Sequence, residues 1–182
     1  NVCNFKCSYC APEISSKWME EIKQHGAYPT STNFNNLENV KNQNKMPIPH
    51  KDPNPYVDAF FKWWESDLQY TLQELRVTGG EPMMSADMWK LFDWFKDNYG
   101  KSSTRLAINS NLCPKDSLMD MMIEKSHYVK HFHVYTSNEA VGTHSEYIRD
   151  GMDWDKWSRN VDRLCSEGNM EGFHMMCTIN SL

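Results

Sequence analysis

Three cysteines stand within the first ten residues of this 182-residue chain, in the array Cys3-Asn-Phe-Lys-Cys7-Ser-Tyr-Cys10. Thiolates spaced in this way on one loop can converge on a single metal centre. Structural zinc sites and ordinary ferredoxin clusters take four protein ligands, so a set of three leaves one metal position open. The other three cysteines, at positions 113, 165 and 177, are far apart, which favours a metal site over a disulfide framework.

A zinc site is the alternative interpretation of the same array. Such a site would be completed by a ligand that is remote in the sequence, for example Cys113 or His144. The cysteine spacing alone leaves both interpretations open.

A second motif follows a predicted strand, in the segment Val77-Thr78-Gly79-Gly80-Glu81-Pro82. Two glycines without side chains let a ligand approach the backbone closely. In parallel α/β folds, ligands bind at the carboxyl ends of the strands, where this turn would lie. A Gly-Gly pair alone is a weak signal, and its position after the cysteine array is what gives it weight.

Helical patterns alternate with short strands in the second part of the chain. Apolar residues recur at 3.6-residue spacing in segments 57–64, 88–95, 118–122 and 154–164. The predicted strands between them are 74–78, 105–110, 131–137 and 173–180. This alternation predicts an α/β fold with a parallel sheet and crossover helices. The polar, proline-containing stretch 11–55 predicts a long loop with one short helix near 16–25.

The predicted strands have one apolar face and one polar face. The apolar positions are Leu75, Val77, Leu106, Ile108, Phe132, Val134, Met175, Cys177 and Ile179. The polar positions are Arg76, Thr78, Asn109, Asn111, His133, Tyr135, Ser137, His174, Thr178 and Asn180. We expect the first face to pack on helices and the second to line the concave side of a curved sheet, as a cavity wall. An antiparallel sheet with one solvated face is the alternative.

In their order and spacing, the CxxxCxxC array and the GGE turn resemble the radical S-adenosylmethionine superfamily. The resemblance covers Cys3 to Asn180. It implies a partial (β/α)6 TIM-like barrel, here incomplete at both ends, and the chain is expected to be a fragment of a longer protein. It also implies that Cys3, Cys7 and Cys10 bind three irons of a 4Fe-4S cluster, whose fourth iron takes the amino nitrogen and carboxylate of S-adenosylmethionine. Reductive cleavage of that cofactor would give a 5′-deoxyadenosyl radical, which abstracts hydrogen from a substrate.

The resemblance implies further cofactor-binding residues. Tyr9 would lie near the adenine, and the turn of Gly79, Gly80 and Glu81 would bind the methionine amino group. Ser137 and Arg149 resemble the pair that members related to peptide maturases use for the ribose and the carboxylate of the cofactor.

Several of these residues have a simpler interpretation. Arg149 could be a solvated residue at the start of a helix, and Ser137 a turn or cap residue. Three asparagines at predicted strand ends are candidates for the cavity wall, and each could instead satisfy loop backbone: Asn109, Asn111 and Asn180.

Length and charge limit the possible partners. The chain is expected to form one radical S-adenosylmethionine core domain over 1–182, with a cluster-binding loop in 1–15, a polar insertion in 16–55 and four helix–strand units in 56–182. A formal net charge of -5 makes nucleic acid an improbable partner. No apolar run is long enough to span a bilayer, so no membrane partner and a cytoplasmic location are expected.

The resemblance also implies an external one-electron reductant of the flavodoxin or ferredoxin type. The substrate stays open, because a peptide, a nucleoside or a small metabolite would each fit. The alternative from another functional class is a non-catalytic module, either a zinc-stabilised binding domain or an iron–sulfur electron-transfer protein.

Overall fold

The computed structural model describes residues 2–32, 35–46 and 52–179. Its main sheet has four parallel strands in the order β2-β3-β4-β6. The strands are β2 (Glu74–Val77), β3 (Arg105–Ser110), β4 (Phe132–Ser137) and β6 (Gly172–Met176). Two very short strands, β1 (Lys6–Cys7) and β5 (Arg149–Asp150), pair antiparallel with each other. The parallel sheet confirms the predicted α/β class and shows that the antiparallel alternative is wrong.

Helices precede β2 and connect the strands of the main sheet. In chain order they are α1 (Ser16–His25), α2 (Leu37–Asn42), α3 (Pro55–Trp63), α4 (Gln69–Thr71), α5 (Ala86–Asp97), α6 (Asp116–Ser126), α7 (Thr143–Ile148) and α8 (Trp154–Glu167). A π-helical turn (Trp64–Leu68) joins α3 to α4, and a 3₁₀ turn (Pro82–Met84) precedes α5.

Local capping explains several helix starts. The Asn54 side chain accepts a hydrogen bond from the Tyr56 N–H ahead of Pro55, the first residue of α3. The Asp153 carboxylate accepts one from the Lys156 N–H at the start of α8. Helix α2 was not predicted: it begins in an asparagine-rich stretch where Asn36 caps two backbone N–H groups. The predicted helix at 16–25 is confirmed by α1.

The main core lies between the sheet and the helices that cover one of its faces. Leu106, Ile108, Phe132 and Val134 are fully buried on that face. Burial alternates strictly along β4, as predicted for a sheet with one apolar and one polar face.

The last strand differs from the prediction. It ends at Met176 rather than at position 180, and Met175, Cys177 and Ile179 are exposed instead of packing on helices. Strand β6 lies at the sheet edge, and within the described residues no helix follows to cover it. Asn180 lies outside the described residues.

Candidate functional site

The cysteine loop lies across the carboxyl ends of three parallel strands. Its first residues meet the turn after β2, where the Glu81 N–H donates to the Val2 carbonyl at 2.7 Å. Asn4 of the loop contacts Asn111, which follows β3. Tyr9 near the end of the loop contacts Glu139, which follows β4. The loop therefore lies at the carboxyl ends of the strands, where parallel α/β folds bind ligands.

Two asparagines form the central attachment. The Asn111 side-chain amide donates to Asn4 Oδ1 at 2.8 Å, and the Asn4 amide donates to the Cys113 carbonyl at 2.8 Å. The Asn111 side-chain oxygen, Oδ1, also accepts a hydrogen bond from the Cys113 N–H at 2.9 Å. Asn111 thus holds the cysteine loop to β3, a role that its prediction as a cavity residue did not include.

Helix α1 supports the loop from another direction. The Ser15 hydroxyl donates to the Phe5 carbonyl at 2.7 Å, and the Trp18 indole N–H donates to the Cys7 carbonyl at 3.0 Å. The Cys3 N–H donates to the Ser16 hydroxyl at 3.1 Å. These bonds occupy backbone groups of the loop and leave the cysteine sulfurs available.

The three thiols are close enough to influence one another. Cys7 is buried, whereas Cys3 and Cys10 are half-buried. A hydrogen bond between the Cys7 and Cys10 thiols lowers the pKa of Cys10 to about 7 and raises the pKa of Cys7. Burial raises the pKa of Cys3, to which the neighbouring Glu81 and Cys10 also contribute. Metals bind the thiolate form of cysteine, so a soft metal would displace the protons of these thiols.

The three loop cysteines are the ligand type that iron–sulfur clusters take from a protein. Cys113 is buried and its thiol donates to the Asp153 carbonyl, and His144 is exposed on α7. In the part of the chain that the structure describes, no group of three or more His, Cys, Asp or Glu side chains is placed to hold one metal ion. In a 4Fe-4S cubane each thiolate binds its own iron, so three cysteines would bind three of the four irons.

The glycine turn needs glycine at both positions. Gly79 and Gly80 have φ values of 88° and 50°, in the left-handed region that L-residues with side chains rarely adopt. Glu81 follows at 2% exposure, and its carboxylate points into the protein. Its oxygens accept from the Asn111 N–H at 2.7 Å, the Ser110 hydroxyl at 2.8 Å and the Met83 N–H at 3.1 Å.

This environment changes the acidity of Glu81. Burial raises its pKa to about 7, although three hydrogen-bond donors act in the opposite direction. Because the carboxylate is committed to its own protein, a ligand at this turn would meet the backbone of Gly79, Gly80 and Glu81 rather than the Glu81 side chain.

Arg149 forms the third part of the site. It is buried, and its Nε and Nη2 donate to the two oxygens of Glu139, both at 2.7 Å. Its Nη1 donates to Cys7 Sγ at 3.7 Å. The Tyr9 hydroxyl donates to the same Glu139 carboxylate at 3.0 Å, and the Arg149 guanidinium lies 5.4 Å from the Tyr9 ring centroid. The alternative of a solvated Arg149 is therefore wrong, because the side chain is enclosed by the cysteine loop and Glu139.

No family model, curated protein or solved structure matches the chain. No helix among the described residues is long and apolar enough to cross a membrane. What the site can bind is therefore inferred from its own geometry.

The structure brings together most of the predicted site residues. Cys7, Tyr9 and Arg149 are in one network, and Glu81 and Asn111 are joined in another that reaches the same loop. Ser137 ends β4 and is half-buried, whereas Arg149 bonds to Glu139 rather than to Ser137.

Asn109 lies on the polar face of β3, away from the cysteine loop. Its amide donates to Met176 Sδ at 3.1 Å, and its Oδ1 is buried without a hydrogen-bond partner among the described residues. An acceptor in this state suits a ligand that brings an N–H or O–H donor.

The same polar face carries an array of aromatic and cationic side chains. The Arg76 guanidinium lies 3.9 Å from the Tyr135 ring centroid, and the Tyr135 and His174 ring centroids are 4.4 Å apart. His133 Nδ1 and His174 Nε2 are 3.0 Å apart, within hydrogen-bond distance. A Cβ on Gly172 would lie 2.6 Å from each of these nitrogens, so this glycine makes room for the pair.

A cavity of about 600 Å³ borders the glycine turn on the side of the polar insertion. Its wall includes Val2, Thr78, Gly79, Asp52 and Asp58. The cavity touches the turn but is not lined by the three cysteines, Tyr9 or Arg149.

Sequence reasoning missed two residues of the site, Glu139 and Asn4. Glu139 stands ten residues before Arg149, and this separation of opposite charges around α7 was the available signal. Asn4 lies inside the cysteine array, in which only the cysteines and Tyr9 were predicted to be functional.

Proposed function

We propose that this chain is the core of a radical S-adenosylmethionine enzyme, in which Cys3, Cys7 and Cys10 hold a 4Fe-4S cluster. The observation that carries the proposal is the attachment of one three-cysteine loop to the segments after β2, β3 and β4. This attachment puts three soft ligands beside a glycine turn with accessible backbone. The proposal includes a partial (β/α)6 barrel, of which the four parallel strands are a part.

A cluster held by Cys3, Cys7 and Cys10 would supply the electron for reductive cleavage of S-adenosylmethionine, and with it the radical chemistry needed to abstract hydrogen from a substrate. The protein's part is to bind and orient. Backbone carbonyls of the Gly79–Gly80 turn would accept hydrogen bonds from the cofactor's ammonium group, and Tyr9 would border the adenine. Asn109, with an unpartnered carbonyl oxygen, would face the ligand from the polar side of the sheet.

The proposal extends to partners in the same way. An external one-electron reductant of the flavodoxin or ferredoxin type would supply the electron, in a reducing cytoplasm where thiols stay free. The substrate would lie against the polar face that carries Arg76, Tyr135 and His174. A peptide is one substrate class that such a face accommodates.

Anaerobic reconstitution with iron and sulfide tests the cluster directly. The protein should take up about four irons per chain and show the brown charge-transfer absorption of a cubane cluster. Cys7→Ala should abolish uptake, whereas Cys165→Ala, at an exposed site on α8, should bind iron like the unmodified protein. Stoichiometric colourless zinc with no iron uptake would contradict the proposal and support the binding module instead.

A further inference from the structure

Arg149 is fixed against the cysteine loop by backbone as well as by its side chain. Cys7 and Arg149 are register partners in the β1–β5 pair, and the Ser8 N–H donates to the Ile148 carbonyl at 2.9 Å. The guanidinium therefore reaches Cys7 Sγ from a short, anchored segment rather than from a free loop.

Glu139 occupies the guanidinium on its other edge. The two residues form a bidentate pair at 2.7 Å, with side-chain exposures of 6% for Arg149 and 3% for Glu139. Burial would raise the pKa of Glu139, but Arg149 more than offsets this and holds it below its ordinary value. A second carboxylate, such as that of a cofactor, would have to displace Glu139 to gain the same bidentate contact.

We propose that Arg149 and Glu139 together set the electrostatic potential at the Cys7 sulfur and so the reduction potential of the cluster. Arg149 is then a positioning residue for a cluster ligand, and not the group that binds the carboxylate of S-adenosylmethionine. This inference rests on the proposed function, because it requires that Cys7 binds iron. Hydrogen bonds to cluster sulfurs and the local net charge are known determinants of such potentials.

Substitution of Glu139 and substitution of Arg149 should shift the reduction potential of the cluster in opposite directions. Glu139→Gln keeps the shape of the side chain but removes the negative charge that balances Arg149, so the cluster becomes easier to reduce. Arg149→Gln removes the donor to Cys7 Sγ and leaves the Glu139 carboxylate uncompensated, so the cluster becomes harder to reduce.

The iron content of the reconstituted protein is measured first. The experiment is then a potentiometric titration in which the electron paramagnetic resonance signal of the reduced cluster is monitored. At one fixed potential, each variant should change the ratio of reduced to oxidised cluster about tenfold, in opposite directions, which is 59 mV for a one-electron couple. Arg163→Gln is the control, since Arg163 makes an ion-pair network with Asp120 of α6 and Glu167 of α8 and none of these residues belongs to the site. S-adenosylmethionine affinity, measured by equilibrium dialysis, should stay within about threefold in all three variants.

The outcomes separate this inference from the function on which it rests. If the unmodified protein takes up no 4Fe-4S cluster, the proposed function is wrong. If it does, and Arg149→Gln weakens cofactor binding more than tenfold with an unchanged reduced fraction, only the inference is overturned. Failure of both variants to take up iron, with normal uptake by Arg163→Gln, would also overturn it, because the pair would then be required for folding of the loop.

Discussion

Two buried glutamates hold the cysteine loop, and they do so by different chemistry. Glu81 follows β2, and its carboxylate accepts from three neutral donors: two backbone N–H groups and one hydroxyl. Glu139 follows β4, and its carboxylate accepts from Nε and Nη2 of the Arg149 guanidinium and from the Tyr9 hydroxyl. The pKa of the first is raised to about 7, and that of the second is lowered.

The difference teaches what each glutamate is for. Neutral donors orient a carboxylate but do not compensate its charge, so Glu81 joins two crossover connections while burial keeps its pKa raised to about 7. A guanidinium compensates the charge of Glu139 and carries the field to Cys7. Glu81 holds the segment after β3, and Glu139 holds the guanidinium that reaches Cys7.

Removal of one partner of the charged pair should have the largest effect on stability. Glu139→Ala leaves the buried Arg149 guanidinium without a counter-charge, which should cost about 3–5 kcal/mol in the free energy of unfolding. The double variant Glu139→Ala/Arg149→Met should recover most of that loss, because no buried charge remains. Urea denaturation of both variants measures the difference, and a double variant as unstable as the single one would show that charge compensation is not the cause.

Glu81 should make the free energy of unfolding depend on pH. Its pKa is about 7 in the folded protein and near 4.5 in the unfolded chain, so its contribution is complete below pH 4.5 and is lost as pH rises to 7. The difference in pKa corresponds to about 3 kcal/mol. Glu81→Gln should lack this slope between pH 5 and pH 7.5 in urea denaturation. Glu20→Gln, at an exposed ion pair with Lys17, should retain it, and an unchanged slope in Glu81→Gln would contradict the assignment.

The asparagine attachment should make a smaller contribution than either glutamate. Asn111→Ala removes its bonds to Asn4 and to the Cys113 N–H, and should destabilise the protein by about 1–2 kcal/mol. Iron uptake should fall as well, because the loop loses one of its two side-chain links to the segment after β3. The control is Asn98→Ala, because the Asn98 side chain donates to the Trp94 carbonyl and accepts from the Lys101 ammonium at the end of α5, away from the cysteine loop in sequence. Equal effects of the two substitutions on iron uptake would remove the special role of Asn111.

The fold was predictable where local pattern and burial agree. Strand β3 has the predicted bounds, and the alternation along β4 was visible in the sequence because helices cover only one face of the sheet. The end of β6 was not predictable, since an edge strand has no neighbour that forces its length.

The site was predictable only in part. The cysteines and the glycine turn carry their chemistry in local spacing. The Glu139–Arg149 pair depends on the path of α7, which brings the chain back to the cysteine loop. The periodicity of nearby residues does not predict such a long-range contact. Likewise, the spacing of the glycine turn cannot show that the Glu81 carboxylate turns inward, because that depends on the segment after β3.

The central claim is that the cysteine loop holds a cluster which cleaves S-adenosylmethionine. Its most direct test is the formation of 5′-deoxyadenosine by the anaerobically reconstituted protein, given S-adenosylmethionine and dithionite and followed by chromatography. We expect formation by the unmodified protein and by Cys165→Ala, and none by Cys7→Ala. An iron-loaded protein that forms no 5′-deoxyadenosine, or a Cys7→Ala variant that forms as much as the unmodified protein, would contradict the account.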